Sequence, residues 1–203
     1  MYFLTYVFDY KFAILSYMKH LSLTKPHVIV MVGIPGSGKT FFAEKFADTF
    51  HAPYVSREKI AALAPDAADA LAEQQLDELL KTGKSIIFEG NTDTRVSRTD
   101  LARKARLAGY EVLLVWPQTD IATAKQRTIK AYSISSDDYD KMVRRFTPPT
   151  LPEKPVVISG KHTYASQAKV VLQRLSGPRA EISTHNTPPT RGEQSTRRNV
   201  TIR

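Results

Sequence analysis

The feature that most constrains the fold is a short glycine-rich segment set between an apolar run and an amphipathic one. Residues 33–40 read GIPGSGKT and fit the pattern G-x-x-x-x-G-K-T. The run before them, HVIVMV at 27–32, is typical of a strand buried on both faces of a parallel sheet. After them, Phe42, Phe46 and Phe50 recur at helical spacing. A strand, a glycine-rich turn and a helix in this order predict a loop that cradles phosphate groups.

The residue types of this loop suit a nucleoside triphosphate with Mg²⁺. Glycines let the backbone curl so that successive N–H groups point at phosphate oxygens, and the start of the helix adds its positive dipole end. Lys39 is placed to reach the β- and γ-phosphates, and the Thr40 hydroxyl to ligate Mg²⁺. The predicted nucleotide-binding residues are Gly33, Pro35, Gly36, Ser37, Gly38, Lys39 and Thr40. The chain has no G-x-G-x-x-G segment with an acidic residue about 20 positions later, which argues against dinucleotide binding.

The rest of the core alternates between strand and helix patterns. Further apolar runs predict strands at 53–55, 85–88, 111–116 and 156–158. Helical periodicity predicts helices at 65–82, 97–108, 119–131, 136–146 and 164–175. The helix at 97–108 is expected to open with a capping box from Ser97 to Asp100. These patterns predict an α/β fold, a mostly parallel sheet of about five strands with helices on both faces.

The two ends differ from this core. We assign residues 26–176 to the domain, 1–25 to an apolar extension and 177–203 to a basic tail that is expected to be disordered. The apolar run before Asp9 is too short to span a bilayer, so no stable membrane insertion is expected. The extension could pack on the core or touch a membrane or partner. Alternatively, translation could start at Met18.

Composition and charge exclude several classes of protein. The chain has no cysteine, which rules out a disulfide scaffold, a thiolate metal site and a cysteine nucleophile. Its five histidines are scattered, so no structural metal is expected. The formal net charge is +9, of which the core carries only about +4. A mildly basic core suits a phosphate-bearing ligand but does not by itself predict nucleic-acid binding. We expect a cytoplasmic location.

Three segments together resemble a family of enzymes. VGIPGSGKT at 32–40, Ser56-Arg57-Glu58 after the second strand, and SIIFEGNT at 85–92 are similar to the small P-loop kinases grouped around polynucleotide 5′-hydroxyl kinase. Zeta-toxin-type kinases and chloramphenicol phosphotransferase are relatives of that group. The resemblance covers about residues 28–175. It implies a doubly wound P-loop fold and transfer of the γ-phosphate of ATP to a hydroxyl acceptor.

The resemblance also suggests roles for two carboxylates. In these kinases an acid after the second strand accepts the proton of the hydroxyl, which makes Glu58 the candidate base. The alternative is a surface glutamate in the first turn of the next helix. Glu89 ends a buried strand beside the phosphate loop. Burying a carboxylate without a functional role there would be costly, because the charge loses its hydration. We expect Glu89 to hold Mg²⁺ through water or to position the acceptor.

Cations over the phosphates are expected from the helix at 119–131. The family places a lid helix here whose arginines approach the transferring phosphoryl group. We choose Arg127 as the catalytic cation and Lys130 as a second, nucleotide-binding one. Arg95 and Arg98 are expected either to clamp an anionic acceptor or to lie on a solvated helix face. The candidate catalytic residues are therefore Lys39, Glu58, Glu89 and Arg127.

The acceptor is not named by the sequence. A small molecule, a nucleotide and a nucleic-acid 5′ end all remain open. Ala61 stands where the polynucleotide kinases carry an arginine that meets the phosphate of the substrate, which weakens the nucleic-acid reading. Two functional alternatives also stay open. One is a P-loop ATPase or nucleotide-binding regulatory protein without phosphotransfer, and the other is a binding protein that has lost catalysis.

Overall fold

The computed structural model describes Leu23 and residues 25–176. The strands are β1 (His27–Met31), β2 (Tyr54–Ser56), β3 (Ile86–Glu89), β4 (Glu111–Gln118) and β5 (Val156–Ser159). The α-helices are α1 (Lys39–Phe50), α2 (Arg57–Leu63), α3 (Ala68–Leu80), α4 (Arg95–Leu107), α5 (Ile121–Tyr132), α6 (Ser136–Arg145) and α7 (Tyr164–Leu175). Short 3₁₀ helices occupy Pro65–Ala67 and Leu151–Glu153. The predictions for the terminal extension and the tail fall almost entirely outside the described residues.

All five strands pair in parallel, in the order β2-β3-β1-β4-β5. β1 is central because its side chains are apolar on both faces, and Val28 through Met31 are buried. The carboxyl ends of parallel strands share one edge of the sheet. The strand order reverses beside β1, and α/β sheets bind ligands at such a switch point. The structure thus confirms the predicted sheet.

Helices cover both faces of the sheet and divide the core into two layers. On one face, Ile29 and Met31 pack with α1 and α7, and the Phe42 and Phe46 rings stack with centroids 5.2 Å apart. On the other face, Val28 and Val30 pack with α3 and α4. Alternate residues of β1 enter opposite layers because successive strand side chains point to opposite faces. The predicted arrangement of helices on both faces is confirmed.

Two local predictions were wrong. α4 begins at Arg95, and its N-cap is Thr94, whose side chain accepts a hydrogen bond from the Ser97 N–H. The proposed capping box from Ser97 to Asp100 therefore does not exist, because Ser97 already lies inside the helix. Periodicity also predicted no helix at 57–63, since none of the residues of α2 is buried and no apolar stripe marks it, and only the alternative interpretation of Glu58 placed a helix there. No helix in the described part of the chain is long and apolar enough to cross a membrane.

Candidate functional site

The glycine-rich loop joins β1 to α1 at the carboxyl edge of the sheet. Gly36 has φ +76°, and a Cβ there would collide with the Ala124 carbonyl of α5. Gly38, the N-cap residue of α1, has φ +100°. Both positions need the left-handed backbone that glycine adopts readily. The loop therefore fits against α5 only with glycine at 36, and it opens α1 with glycine at 38.

Side chains from later elements hold the outer half of the loop. The Thr119 hydroxyl donates to the Ser37 carbonyl at 3.1 Å, and the buried Tyr139 hydroxyl lies 3.4 Å from the Pro35 carbonyl. These contacts come from the turn after β4 and from α6. The loop shape is thus tied to the helices that follow β4 and does not rest on the glycines alone.

Lys39 is the first residue of α1, and its side chain folds back over the loop. Its ammonium group donates to the Gly33 carbonyl at 2.8 Å and to the Ile34 carbonyl at 3.1 Å. Burial lowers the pKa of Lys39, while the negative charges of Glu89, Asp93 and Glu58 oppose that shift. A lysine held at the mouth of this loop is placed to meet phosphate oxygens.

Two predicted carboxylates meet at one hydroxyl. Thr40 Oγ1 lies 2.9 Å from Glu89 Oε1 and 3.2 Å from Glu58 Oε2. The reason is the parallel register, which pairs Ser56 at the end of β2 with Glu89 at the end of β3. Thr40 reaches both from the first turn of α1. The structure therefore brings together Lys39, Thr40, Glu58 and Glu89, as a single site would require.

Glu89 and Glu58 differ in their surroundings. Glu89 is only 5% exposed, and Tyr54 donates to its Oε2 at 2.6 Å. Burial raises the pKa of Glu89, and hydrogen bonds from Tyr54 and Thr40 together with the Lys39 charge oppose the rise. Glu58 is exposed on α2. One carboxylate is therefore buried and fixed, and the other is solvated.

The donor set fits a hard divalent cation. Carboxylate and hydroxyl oxygens are the ligands that Mg²⁺ prefers, usually with several waters and substrate phosphates completing its shell. In the described part of the chain, no group of three or more His, Cys, Asp or Glu side chains converges. A cation held here by Thr40 and Glu89 would therefore need phosphate and water as further ligands, which is the arrangement that Mg²⁺ favours.

The sequence reading missed Tyr54 and Asp93. The apolar pattern predicts Tyr54 only as a strand residue, although parallel pairing places it near the end of the neighbouring strand. Asp93 follows the Glu89-Gly90-Asn91 turn and is exposed, and its charge acts on both Lys39 and Arg57. An acidic residue just after that turn was the available signal for Asp93.

Arg98 neither faces an acceptor site nor lies on a solvated helix face. Its side chain is 1% exposed and forms an ion pair with Glu153, with Nε 2.7 Å from Oε1. Its Nη1 donates to the carbonyls of Thr92 and Thr147, each at 3.0 Å. Arg98 is therefore an internal brace, and both the acceptor-clamp and the solvated-face expectations were wrong for it. Arg95, by contrast, is exposed.

α5 carries the two lid-cation candidates beside the loop. Ala124 and Thr128 are buried and lie against Gly36. Arg127 and Lys130 are exposed on other sides of the helix, and neither has an ion-pair partner among the described residues. The structure thus places the helix beside the phosphate loop, with both candidate cations exposed to solvent.

Residues 28–149 match the model of a family described as an AAA domain. The match spans more than half of the chain and includes the phosphate loop, both carboxylates and α5. The chain belongs to this AAA domain family, whose fold here is a five-stranded P-loop nucleotide-binding sheet.

Solved structures with a similar fold include several kinases. A gluconokinase from Sinorhizobium meliloti 1021 superimposes with a TM-score of 0.56 at 18% identity, covering 74% of this chain and 92% of that one. The APS kinase of Mycobacterium tuberculosis, solved with AMPPNP and APS, gives 0.56 at 17% identity, covering 74% and 98%. A sugar kinase from Janibacter sp. HTCC2649 gives 0.54 at 20%, covering 73% and 93%. At these identities the likeness establishes the shared fold.

A curated relative matches over a shorter stretch. The signal recognition particle protein of Buchnera aphidicola subsp. Baizongia pistaciae (strain Bp) is 32% identical over 100 residues. That match takes in 47% of this chain and only 21% of the relative. The similarity therefore covers about half of this chain, and the chain spans about a fifth of that protein.

Proposed function

We propose that this protein is a kinase that transfers the γ-phosphate of ATP, with Mg²⁺, to a hydroxyl of a small polar acceptor. The observation that carries the proposal is the meeting of Glu58 and Glu89 at the Thr40 hydroxyl, directly beside the phosphate loop. A kinase and an ATPase both hold Mg²⁺ beside the phosphate loop, and the kinases among the solved structures that share this fold support the kinase. Two differently held carboxylates suit a site that must manage both a metal and an acceptor proton.

The phosphate loop supplies binding and orientation. The backbone N–H groups of 33–38, apart from Pro35, which has none, and the start of α1 would face the phosphate oxygens. Lys39 would exchange its two carbonyl partners for the β- and γ-phosphates. Thr40 and Glu89 would hold Mg²⁺, with Glu89 acting through water. When bound, the metal offsets the charge of the β- and γ-phosphates.

Glu58 is the proposed proton acceptor. The acceptor oxygen forms the new bond to the γ-phosphorus while the bond from that phosphorus to the β–γ bridging oxygen breaks and ADP leaves. The hydroxyl proton passes to a Glu58 carboxylate oxygen. Glu58 suits this step because it is exposed and, among the described residues, its carboxylate accepts a hydrogen bond from Thr40 alone. A base of this kind contributes about 10²–10⁴ in rate.

Lid cations complete the proposal. Arg127 is proposed to reach the transferring phosphoryl group when nucleotide is bound, and Lys130 to contact the nucleotide. Support comes from the packing of Ala124 and Thr128 on Gly36, which keeps α5 next to the phosphate loop. Lys125 on the same helix is already engaged by Asp140 at 2.8 Å.

The ion pairs of the cations near Glu58 and Glu89 favour a small, polar acceptor over a polyanion. Arg57 is paired with Asp69, Lys59 with Glu44, and the buried Arg98 with Glu153. Each of these cations would have to give up a carboxylate to bind a phosphate. A nucleic-acid strand requires several unpaired cations along a groove.

The test is a phosphate-transfer screen with γ-labelled ATP over sugars, sugar acids, amino sugars, nucleosides and a short 5′-hydroxyl oligonucleotide. We expect label in a small hydroxylated compound and ADP release only when that compound is present. The Lys39→Ala protein, assayed in parallel, is the inactive control for label transfer. ADP release that ignores every acceptor would support the ATPase alternative. Labelling of the oligonucleotide, with binding that collapses between about 50 and 200 mM salt, would overturn the small-acceptor assignment.

A further inference from the structure

Among the residues that the structure describes, Tyr54 makes the shortest hydrogen bond to either Glu58 or Glu89. Its hydroxyl donates to Glu89 Oε2 at 2.6 Å, while Thr40 Oγ1 donates to Glu89 Oε1 at 2.9 Å. Both oxygens of this buried carboxylate are therefore engaged, one from β2 and one from α1. A charge-assisted bond of this length orients as well as stabilises the group that accepts it.

Tyr54 is itself held in place. Its ring packs against the core layer formed by α1 and α7, and the Lys59 ammonium lies 5.4 Å from the ring centroid. Its backbone pairs with that of Ile87 on β3, the strand next to β1. The hydroxyl therefore approaches Glu89 from a fixed strand and a packed ring.

Glu58 has no comparable restraint. It shares the Thr40 hydroxyl at the longer distance of 3.2 Å and lies on a helix without a buried residue. A hydroxyl has one proton and can donate to one carboxylate at a time. Since Tyr54 and the shorter Thr40 contact both favour Glu89, the two carboxylates are held unequally.

We propose that Tyr54 is a positioning residue that fixes Glu89 as the metal-side carboxylate and so leaves Glu58 free to take the acceptor proton. This inference rests on the proposed function of the site. Partners of this kind, one step removed from the metal, typically change metal affinity by about 10–100-fold when removed.

The experiment compares the affinity of a fluorescent ADP analogue in excess MgCl₂ with its affinity in EDTA. The ratio of the two dissociation constants is the magnesium enhancement. In Tyr54→Phe we expect this enhancement to fall by about tenfold, with the EDTA value within about twofold of wild type, because the ring and the phosphate loop are retained. Since binding in EDTA also reports folded protein, each variant carries its own check of folding.

The matched control is Tyr164→Phe. Tyr164 is also a partly buried tyrosine whose hydroxyl is hydrogen-bonded, to Thr49 at 2.7 Å, but it lies on α7 away from Glu89. We expect it to keep the wild-type enhancement. An unchanged enhancement in Tyr54→Phe, or an equal loss in both variants, would overturn the role of Tyr54.

A second variant tests whether Tyr54 acts through Glu89. Glu89→Gln should remove most of the enhancement, and adding Tyr54→Phe to it should change little more. A further tenfold loss in the double variant would overturn the inference, since Tyr54 would then act by another route. A wild-type protein that binds ADP without any magnesium enhancement would overturn the inference alone. A wild-type protein that does not bind ADP would overturn the proposed function with it.

Discussion

Arg98 on α4 and Glu153 form a buried ion pair, with Nε and Oε1 2.7 Å apart. The same guanidinium binds the carbonyls of Thr92 and Thr147, so it joins the turn after β3 to the segment after α6. Glu153 in turn accepts from the Thr150 backbone N–H at 2.8 Å. One buried arginine thus holds the turn after β3 against the segment that follows α6.

Removing the charge of Glu153 should make the protein less stable and change its response to acid. At neutral pH, Glu153→Gln leaves Arg98 buried without its partner, which typically costs about 3–5 kcal/mol. Burial acts to raise the pKa of Glu153, but hydrogen bonds from Arg98 and Thr150 outweigh it and hold the pKa below its usual value. The stabilisation is therefore present above about pH 4.3, the unfolded value, and is lost as pH falls through the lower folded pKa.

The measurement is urea denaturation of both proteins between neutral pH and about pH 3, below the ordinary glutamate pKa. The free energy of unfolding of wild type should fall more steeply below about pH 4.3 than that of Glu153→Gln. Glu78→Gln is the control, because Glu78 pairs with Lys81 on the exposed surface. Equal stability of wild type and Glu153→Gln at pH 7 would contradict the bracing role.

Replacing Lys39 by alanine should abolish phosphoryl transfer and weaken ATP binding by about 1.5–3 kcal/mol, the value of a hydrogen bond to a charged group. Titration calorimetry with a non-hydrolysable ATP analogue checks the affinity. Lys45→Ala is the control, since Lys45 is exposed on the same helix. Full activity in Lys39→Ala would contradict the assignment of residues 33–40 as the phosphate-binding loop.

Replacing Glu58 by glutamine should lower kcat by about 10²–10⁴ while ATP affinity stays near wild type, because the amide cannot take the acceptor proton. Steady-state kinetics on the acceptor found by the screen checks this split. Glu73→Gln, on the exposed side of α3, should leave kcat unchanged. If Glu58→Gln keeps its kcat, Glu89 becomes the next candidate base.

Alanine substitutions at the two lid-cation candidates, Arg127 and Lys130, should change different kinetic constants. Arg127→Ala should lower kcat by about 10³ or more with little change in the KM for ATP, because its charge is needed only as the phosphoryl group transfers. Lys130→Ala should mainly raise the KM for ATP. Lys169→Ala, exposed on α7, serves as the control. Wild-type kcat in Arg127→Ala would show that another group neutralises the phosphoryl charge.

Alanine at Gly36 should damage the site, whereas alanine at Gly83 should not. Both residues have positive φ, +76° and +69°, so each substitution costs about 1–2 kcal/mol of backbone strain. Only at Gly36 would the added Cβ meet the α5 carbonyl of Ala124; at Gly83 nothing lies within 4 Å. We expect Gly83→Ala to bind ADP normally and Gly36→Ala to bind it weakly. Equal ADP affinity in the two variants would contradict the packing of α5 on the loop.

The sheet and the phosphate loop could be predicted from the sequence because their signals are local. The run at 27–32 is apolar on both strand faces, and the spacing of Gly33, Gly38, Lys39 and Thr40 follows from how a backbone must curl around phosphate. The positions of the other strands follow in the same way from short apolar runs. These patterns require no knowledge of which elements become neighbours.

Only the tertiary structure decided which residues share the site and which merely support it. Tyr54 and Glu89 are 35 positions apart and meet because β2 and β3 pair in parallel. Arg98 and Glu153 are 55 positions apart, and nothing in the helical pattern around Arg98 distinguishes a buried brace from a solvated cation. Periodicity shows which side of an element is apolar. It does not show what packs against that side, because contacts between distant residues depend on strand order, register and helix packing, which are properties of the assembled fold.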